Sequence, residues 1–168
     1  MKITILDKTK KKRFIEGAGL GLKRIRELLI RTGQESIRAY SGNLSTEEIM
    51  AIWRILPIEG IGLYVGKDMM NRNGIREVRL SVDALHSLKD QISEDIIVLN
   101  KEQEKEWFFG RDVELSEEQA KNFKNKKSFV AVKSNDGNDF IGTGKIGNGG
   151  GVLFNYLPKE RRRKSQTL

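Results

Sequence analysis

A chain of 168 residues, 38% hydrophobic and 32% charged, is long enough for one medium domain or two small ones around a modest core. It has no cysteine, which excludes disulfides, zinc ribbons, iron–sulfur clusters and thiol catalysis, and its single histidine, His86, excludes a histidine-built metal site. The net charge of +8 sits at the ends: residues 1–38 hold 11 Lys/Arg against 4 Asp/Glu, residues 159–164 hold 5 against 1, and the middle is left at −3. Positive charge gathered in this way points to a polyanion, with nucleic acid the usual one; the plainer alternative is a pair of solvated basic ends.

Residues 2–6 (KITIL) alternate and predict a strand. The basic run KTKKKRF and the glycine-punctuated GAGLGL follow. Leu22, Ile25 and Leu29 then predict an amphipathic helix, with Lys23, Arg24, Arg26 and Arg31 on its other faces and Gly33 as its C-cap. SIRAYS (36–41) reads as a strand. Ser45 and Glu48 form a capping-box pair ahead of an apolar face of Ile49, Ile52, Trp53 and Leu56, and Pro57 and Gly60 end that helix. Ile61–Met70 and Arg76–Ser81 predict two strands joined by an NRNG turn, and Val82, Leu85 and Leu88 mark a helix. The order β, α, β, α, β, β, α describes a small α/β unit.

The texture changes near residue 94. IIVL (96–99) predicts a short buried strand, Lys101–Trp107 a polar helix ending in WFFG, and Ser116–Lys124 a short helix with Ser116 and Gln119 as capping box. Strands at 129–133, 140–146 and 152–156, separated by NDGN and NGGG turns, predict a small barrel. ERRRKSQTL reads as a disordered basic ending.

The stretch FVAVKSNDGNDFIGTGKIGNGGGVLFNYLPKERR resembles a PUA domain, the small RNA-binding pseudobarrel, most of all in Gly142-Thr143-Gly144-Lys145 and the LPKERR ending at 157–162. That ending is similar to the archaeal PUA-like modules found with Nop/Sun-type RNA methyltransferases. Upstream, Gly66 and Lys67, the strand and helix from Arg76 to Leu88, and Trp107 to Gly110 resemble the pre-PUA-to-PUA junction of Nip-type ribosome-assembly factors. The resemblance covers about residues 36–163. It implies an α+β chain: an α/β pre-PUA-like domain (1–93), a PUA-like pseudobarrel (94–163) and a basic tail (164–168). It implies RNA binding, rRNA before tRNA, in ribosome biogenesis or RNA modification, without catalysis or cofactor. It also implies a possible protein partner such as an RNA-modifying enzyme or assembly factor. The alternative is an RNA-binding subunit of an RNA-modifying enzyme, or a tRNA-binding translation factor. The residues expected to meet RNA are Lys67, Arg76, Lys133, Lys145, Lys159, Arg161, Arg162 and Arg163.

Other motifs carry less. GAGLGL has Leu22 where a dinucleotide fingerprint needs glycine, and it follows a charged segment instead of a strand. GTGKIGNGGG lacks the Walker spacing, because Ile146 follows Lys145; its glycines read as sites of close backbone approach. Tyr40, Tyr64, Trp107, Phe108, Phe154 and Tyr156 are candidate base-stacking rings, most of them expected in the core. Asp83 and Asp90 share a helix face as capping and solvated charges. The lack of cysteine, of a long apolar run and of a leader-like N-terminus predicts a cytoplasmic protein without membrane association.

Overall fold

The computed structural model describes residues 2–56, 58–123, 128–147 and 149–164. The fold is α+β, with two five-stranded sheets. The first is an antiparallel meander of β1 (Ile3–Ile5), β2 (Leu28–Thr32), β3 (Ser36–Tyr40), β4 (Leu63–Met70) and β5 (Arg76–Leu80), in that order. Helices α1 (Lys8–Ala18), α2 (Thr46–Ile55) and α3 (Val82–Ser87) interrupt or follow it.

The basic run is a helix. Asp7 caps α1 by accepting from Lys10 N at 2.8 Å, lysine and arginine are good helix formers, and Phe14 and Ala18 bury against the sheet. A Cβ on Gly17 would lie 2.8 Å from Val78, so the helix approaches β5 closely.

The helix expected across 22–32 is instead a loop, with Leu22 and Ile25 buried, followed by β2. Leu29 packs with Phe14, Ile37 and Val65 on one face of the sheet, while Ile30 packs with Ile3 and Ile49 on the other. A strand covered on both faces accepts consecutive apolar residues, whereas one helical stripe would leave Ile30 outside it. Gly33 is the β2–β3 turn, not a helix cap, and its φ of +66° explains the glycine.

The capping box of Ser45 and Glu48 forms as expected, with Glu48 Oε2 accepting from Ser45 N at 2.7 Å and Ser45 Oγ from Glu48 N at 3.2 Å. Only Ile49 of the expected apolar face is buried; Ile52 and Leu56 are exposed. The expected role of Pro57 in ending α2 lies outside the described residues. The 71–74 turn and the β4–β5 hairpin form as expected.

The second sheet runs β6 (Ile96–Val98), β8 (Phe129–Lys133), β9 (Phe140–Ile146), β10 (Val152–Asn155) and β7 (Val113–Glu114). β6 pairs parallel with β8 and the rest are antiparallel. Two helices join it: α4 (Lys101–Phe108), and α5 (Glu117–Lys121), whose expected end at Lys124 lies outside the described residues, as does Asn148 of the NGGG turn.

Trp107 fills this second core, fully buried, donating Nε1–H to Ile141 O at 3.2 Å. The GTG strand makes room for it. A Cβ on Gly142 would lie 2.9 Å from the Trp107 ring and one on Gly144 would lie 2.5 Å from Leu153. The close approach expected of these glycines is therefore to the protein's own core.

The two sheets share packing. Ala131 and Phe140 of the second belong to the first core, Val82 of α3 belongs to the second, and Thr143 Oγ1 donates to Leu80 O at 3.3 Å. Among the described residues no helix is long and apolar enough to cross a membrane.

Candidate nucleic-acid interface

Strand alternation sorts the charges of the first sheet. Val78 and Leu80 point into the first core with Asp68 and Arg76 on their side, while Lys67, Glu77 and Arg79 project from the opposite face. Lys67 and Arg79 are directly paired across β4 and β5. Lys67 reaches Glu35 at 3.3 Å, and Arg79 has no carboxylate among the described residues.

Arg79 instead lies over Tyr156, with its guanidinium carbon 5.3 Å from the ring centroid. Tyr156 meets Phe129 edge-on at 5.0 Å and 86°, and Lys145 Nζ lies 5.6 Å from the Phe129 ring. On the other side, Arg38 lies 6.0 Å from the Tyr64 ring. Cations and rings thus run side by side from the first sheet onto the second. Tyr64, Lys67, Arg79, Thr143 and Tyr156 border a cleft of about 370 Å³ whose far wall includes Pro158 and Glu160.

Lys145 also pairs with Glu77 at 2.7 Å. Burial pushes the Glu77 carboxyl up, but hydrogen bonds from Lys145 and Asn71 and the charge of Lys145 outweigh it and hold the carboxyl below its ordinary value.

The expected RNA-binding residues divide. Lys67 and Lys145 lie along the cation–ring series, and exposed Lys159 stands between two residues of the cleft wall. Arg76 is on the opposite sheet face, bound to buried Asp68 through Nε and Nη2, both at 2.5 Å, with Arg31 on the same carboxylate. Lys133 lies 4.9 Å from the Phe140 ring.

Residues 160–163 of the expected disordered ending are docked. Lys159–Arg161 form a 3-10 turn, Arg161 pairs with Asp83 at 2.7 Å, and Arg162 Nε donates to Leu157 O at 2.9 Å. Arg163 N donates to Phe108 O at 2.7 Å, and its guanidinium stacks 5.1 Å from the Phe108 ring. Their anchor points are Asp83 of α3 and the end of α4, which a reading of the tail as a run of charge does not reveal. Lys164 is exposed, and residues 165–168 of the expected tail lie outside the described residues.

Of the six candidate stacking rings, Trp107 is core, while Phe154 and Tyr156 are both exposed, as their shared side of the chain requires. Arg38 and Arg79 escaped the sequence reading. The signal for Arg79 was present in the alternation of REVRL, where apolar Val78 and Leu80 turn Arg79 outward. Among the described residues no group of three or more acidic or histidine side chains could hold a metal ion. The chain matches no family model and no curated protein in sequence.

Proposed function

We propose that this chain is a non-catalytic RNA-binding protein. In this reading an α/β pre-PUA-like part (1–93) precedes a PUA-like pseudobarrel (94–163), and the chain grips structured RNA, ribosomal before transfer RNA, in ribosome assembly or RNA modification. The observation that carries it is the series of Arg38, Tyr64, Lys67, Arg79, Tyr156 and Lys145 running across both sheets.

Two opposed cations on a sheet repel each other in the free protein. A phosphate between them removes that repulsion, and the half-buried Tyr64 and exposed Tyr156 beside them are ring surfaces that unpaired bases could meet. The second sheet, five strands with short turns between β8, β9 and β10, supports the pseudobarrel part of the reading. Ile55 and Leu56, 79% and 62% exposed at the end of α2, support a protein partner on the pre-PUA-like part. A cytoplasmic location follows from the proposed RNA role.

The test is a titration of ribosomal RNA fragments, tRNA and a control duplex at several salt concentrations. Arg79→Ala and Lys67→Ala should each weaken the preferred RNA several-fold and lower the salt slope by about 1. Equal, steeply salt-sensitive binding of every RNA, unchanged by either substitution, would sink the reading.

A further inference from the structure

A second cleft, of about 360 Å³, lies at the end of the first sheet where β3 and β4 meet the segment before β2. That is within the range of small-ligand sites, roughly 300–1,000 Å³. Ile25, Ala39, Leu63, Val65 and Leu88 give it apolar walls, and Glu27, Tyr40 and Ser87 add polar groups. Glu27 is half-buried, and its carboxylate has no hydrogen bond or ion pair among the described residues. Its charge is felt by Lys11, whose ammonium burial pushes down, Glu27 pulls up and Arg24 pushes down. Past Tyr40 the cleft continues as a groove that Arg26 lines.

This site is held rigid. Leu20 is buried with φ +60°, and its carbonyl accepts from Ser93 N at 3.0 Å and Glu94 N at 3.3 Å. Gln91 grips the backbone of Arg24 from both sides, accepting from Arg24 N at 3.0 Å and donating to Arg24 O at 2.9 Å. Lys11 Nζ donates to Glu27 O at 2.6 Å. A buried leucine with positive φ is strained and persists only where its surroundings over-determine it. Tyr40 is fixed too: its hydroxyl accepts from Leu44 N at 3.1 Å, and a Cβ on Gly42 would lie 2.2 Å from that oxygen. With Leu22 and Ile25 buried, Lys23, Arg24 and Arg26 are held outward on the rim.

We propose that this cleft takes an unpaired guanine base of RNA, with Glu27 on its Watson–Crick edge, the apolar side chains of Ile25 and Leu88 against its faces and Arg26 and its neighbours on the flanking phosphates. The inference rests on the RNA-binding reading above. Guanine is the only standard base with two adjacent donors on that edge, N1–H and N2–H, and a carboxylate accepts both at once. Adenine and cytosine set a ring acceptor beside their amino group, and uracil flanks one N–H with two carbonyls; each of these acceptors repels a carboxylate. Single-stranded RNA is read through such hydrogen bonds to the edges of bases splayed out of their stack.

The experiment measures anisotropy of labelled UUGUU, UUAUU and the inosine analogue UUIUU, and calorimetry of GMP alone, with wild type, Glu27→Gln and Arg79→Ala. Wild type should bind UUGUU at least tenfold tighter than UUAUU, and inosine, lacking the 2-amino group, should lose most of that margin. Glu27→Gln should reduce the margin to within twofold with an unchanged melting curve. Equal binding of UUGUU and UUAUU by wild type, with Arg79-dependent binding of structured RNA intact, would overturn the guanine site alone. A guanine preference that survives Glu27→Gln would overturn it as well. GMP bound as tightly as UUGUU would overturn the assignment to RNA in favour of a free guanine nucleotide. Failure to bind any RNA would remove both readings.

Discussion

Lys67 on β4 and Arg79 on β5 face each other directly across an antiparallel pair, and only Lys67 has a carboxylate, Glu35, within reach among the described residues. Like charges so placed destabilise a sheet by a few tenths of a kcal/mol to about 1 kcal/mol. Arg79→Thr should therefore leave the midpoint of chemical denaturation unchanged or raised, even as RNA affinity falls. A clear loss of stability would mean that the stacking of Arg79 on Tyr156 outweighs the repulsion.

Asp68 behaves in the opposite way. Its side chain is 4% exposed and holds both Arg31 and Arg76, and Arg31 Nε is already buried without a partner. Asp68→Asn leaves two partly buried guanidinium groups uncompensated. Removing one member of a buried ion pair costs about 3–5 kcal/mol; with both arginines near 30% exposed, roughly 2–3 kcal/mol is expected here. Urea denaturation measures it, and an unchanged midpoint would show that water already screens the cluster.

Gly142→Ala brings a methyl group to 2.9 Å from the Trp107 ring. Overpacking of this kind costs about 1–3 kcal/mol. The variant should melt earlier and shift the fluorescence of Trp107, whereas Gly137→Ala, with nothing near its Cβ position but φ +73°, should lose stability without that shift.

The Glu77–Lys145 pair makes a pH prediction. The folded carboxyl of Glu77 titrates below its unfolded value, so its contribution is present at pH above the unfolded value, about 4.3, and is lost as the pH falls through the folded one. Lys145→Met removes the ion pair and leaves burial, the largest influence, opposed only by the Asn71 hydrogen bond. The variant should lose less stability than wild type over that acid window, as read from denaturation midpoints at a series of pH values. Parallel curves for the two proteins would contradict the assignment.

Elements set by local chemistry were legible in the sequence. The capping boxes of α2 and α5, the 71–74 turn and the strands β3, β5, β8 and β9 all stand where their residues point. What failed depended on distant partners. Leu22, Ile25 and Leu29 have helical spacing, but the second face of β2 is provided by Ile49, a residue twenty positions further on. The basic run 8–13 gave no periodic apolar signal because α1 buries little beyond Phe14 and Ala18. Of the candidate site, the rings Tyr64 and Tyr156 and the cations Lys67 and Lys145 were found by residue type. Their assembly with Arg79 needed the docking of two sheets, and the anchoring of Arg161 to Asp83 needed contact across 78 positions.

The shared core has a consequence for how the protein is made. β6 must wait for β8, some thirty residues later in the chain, and the first core stays open until Phe140 has been synthesised. A nascent chain paused at residue 93 therefore carries an unsealed apolar surface, and the N-terminal half is not finished when it leaves the ribosome. Long-range pairings of this kind slow folding and lengthen exposure to chaperones, so the C-terminal half acts as the seal for the half translated before it.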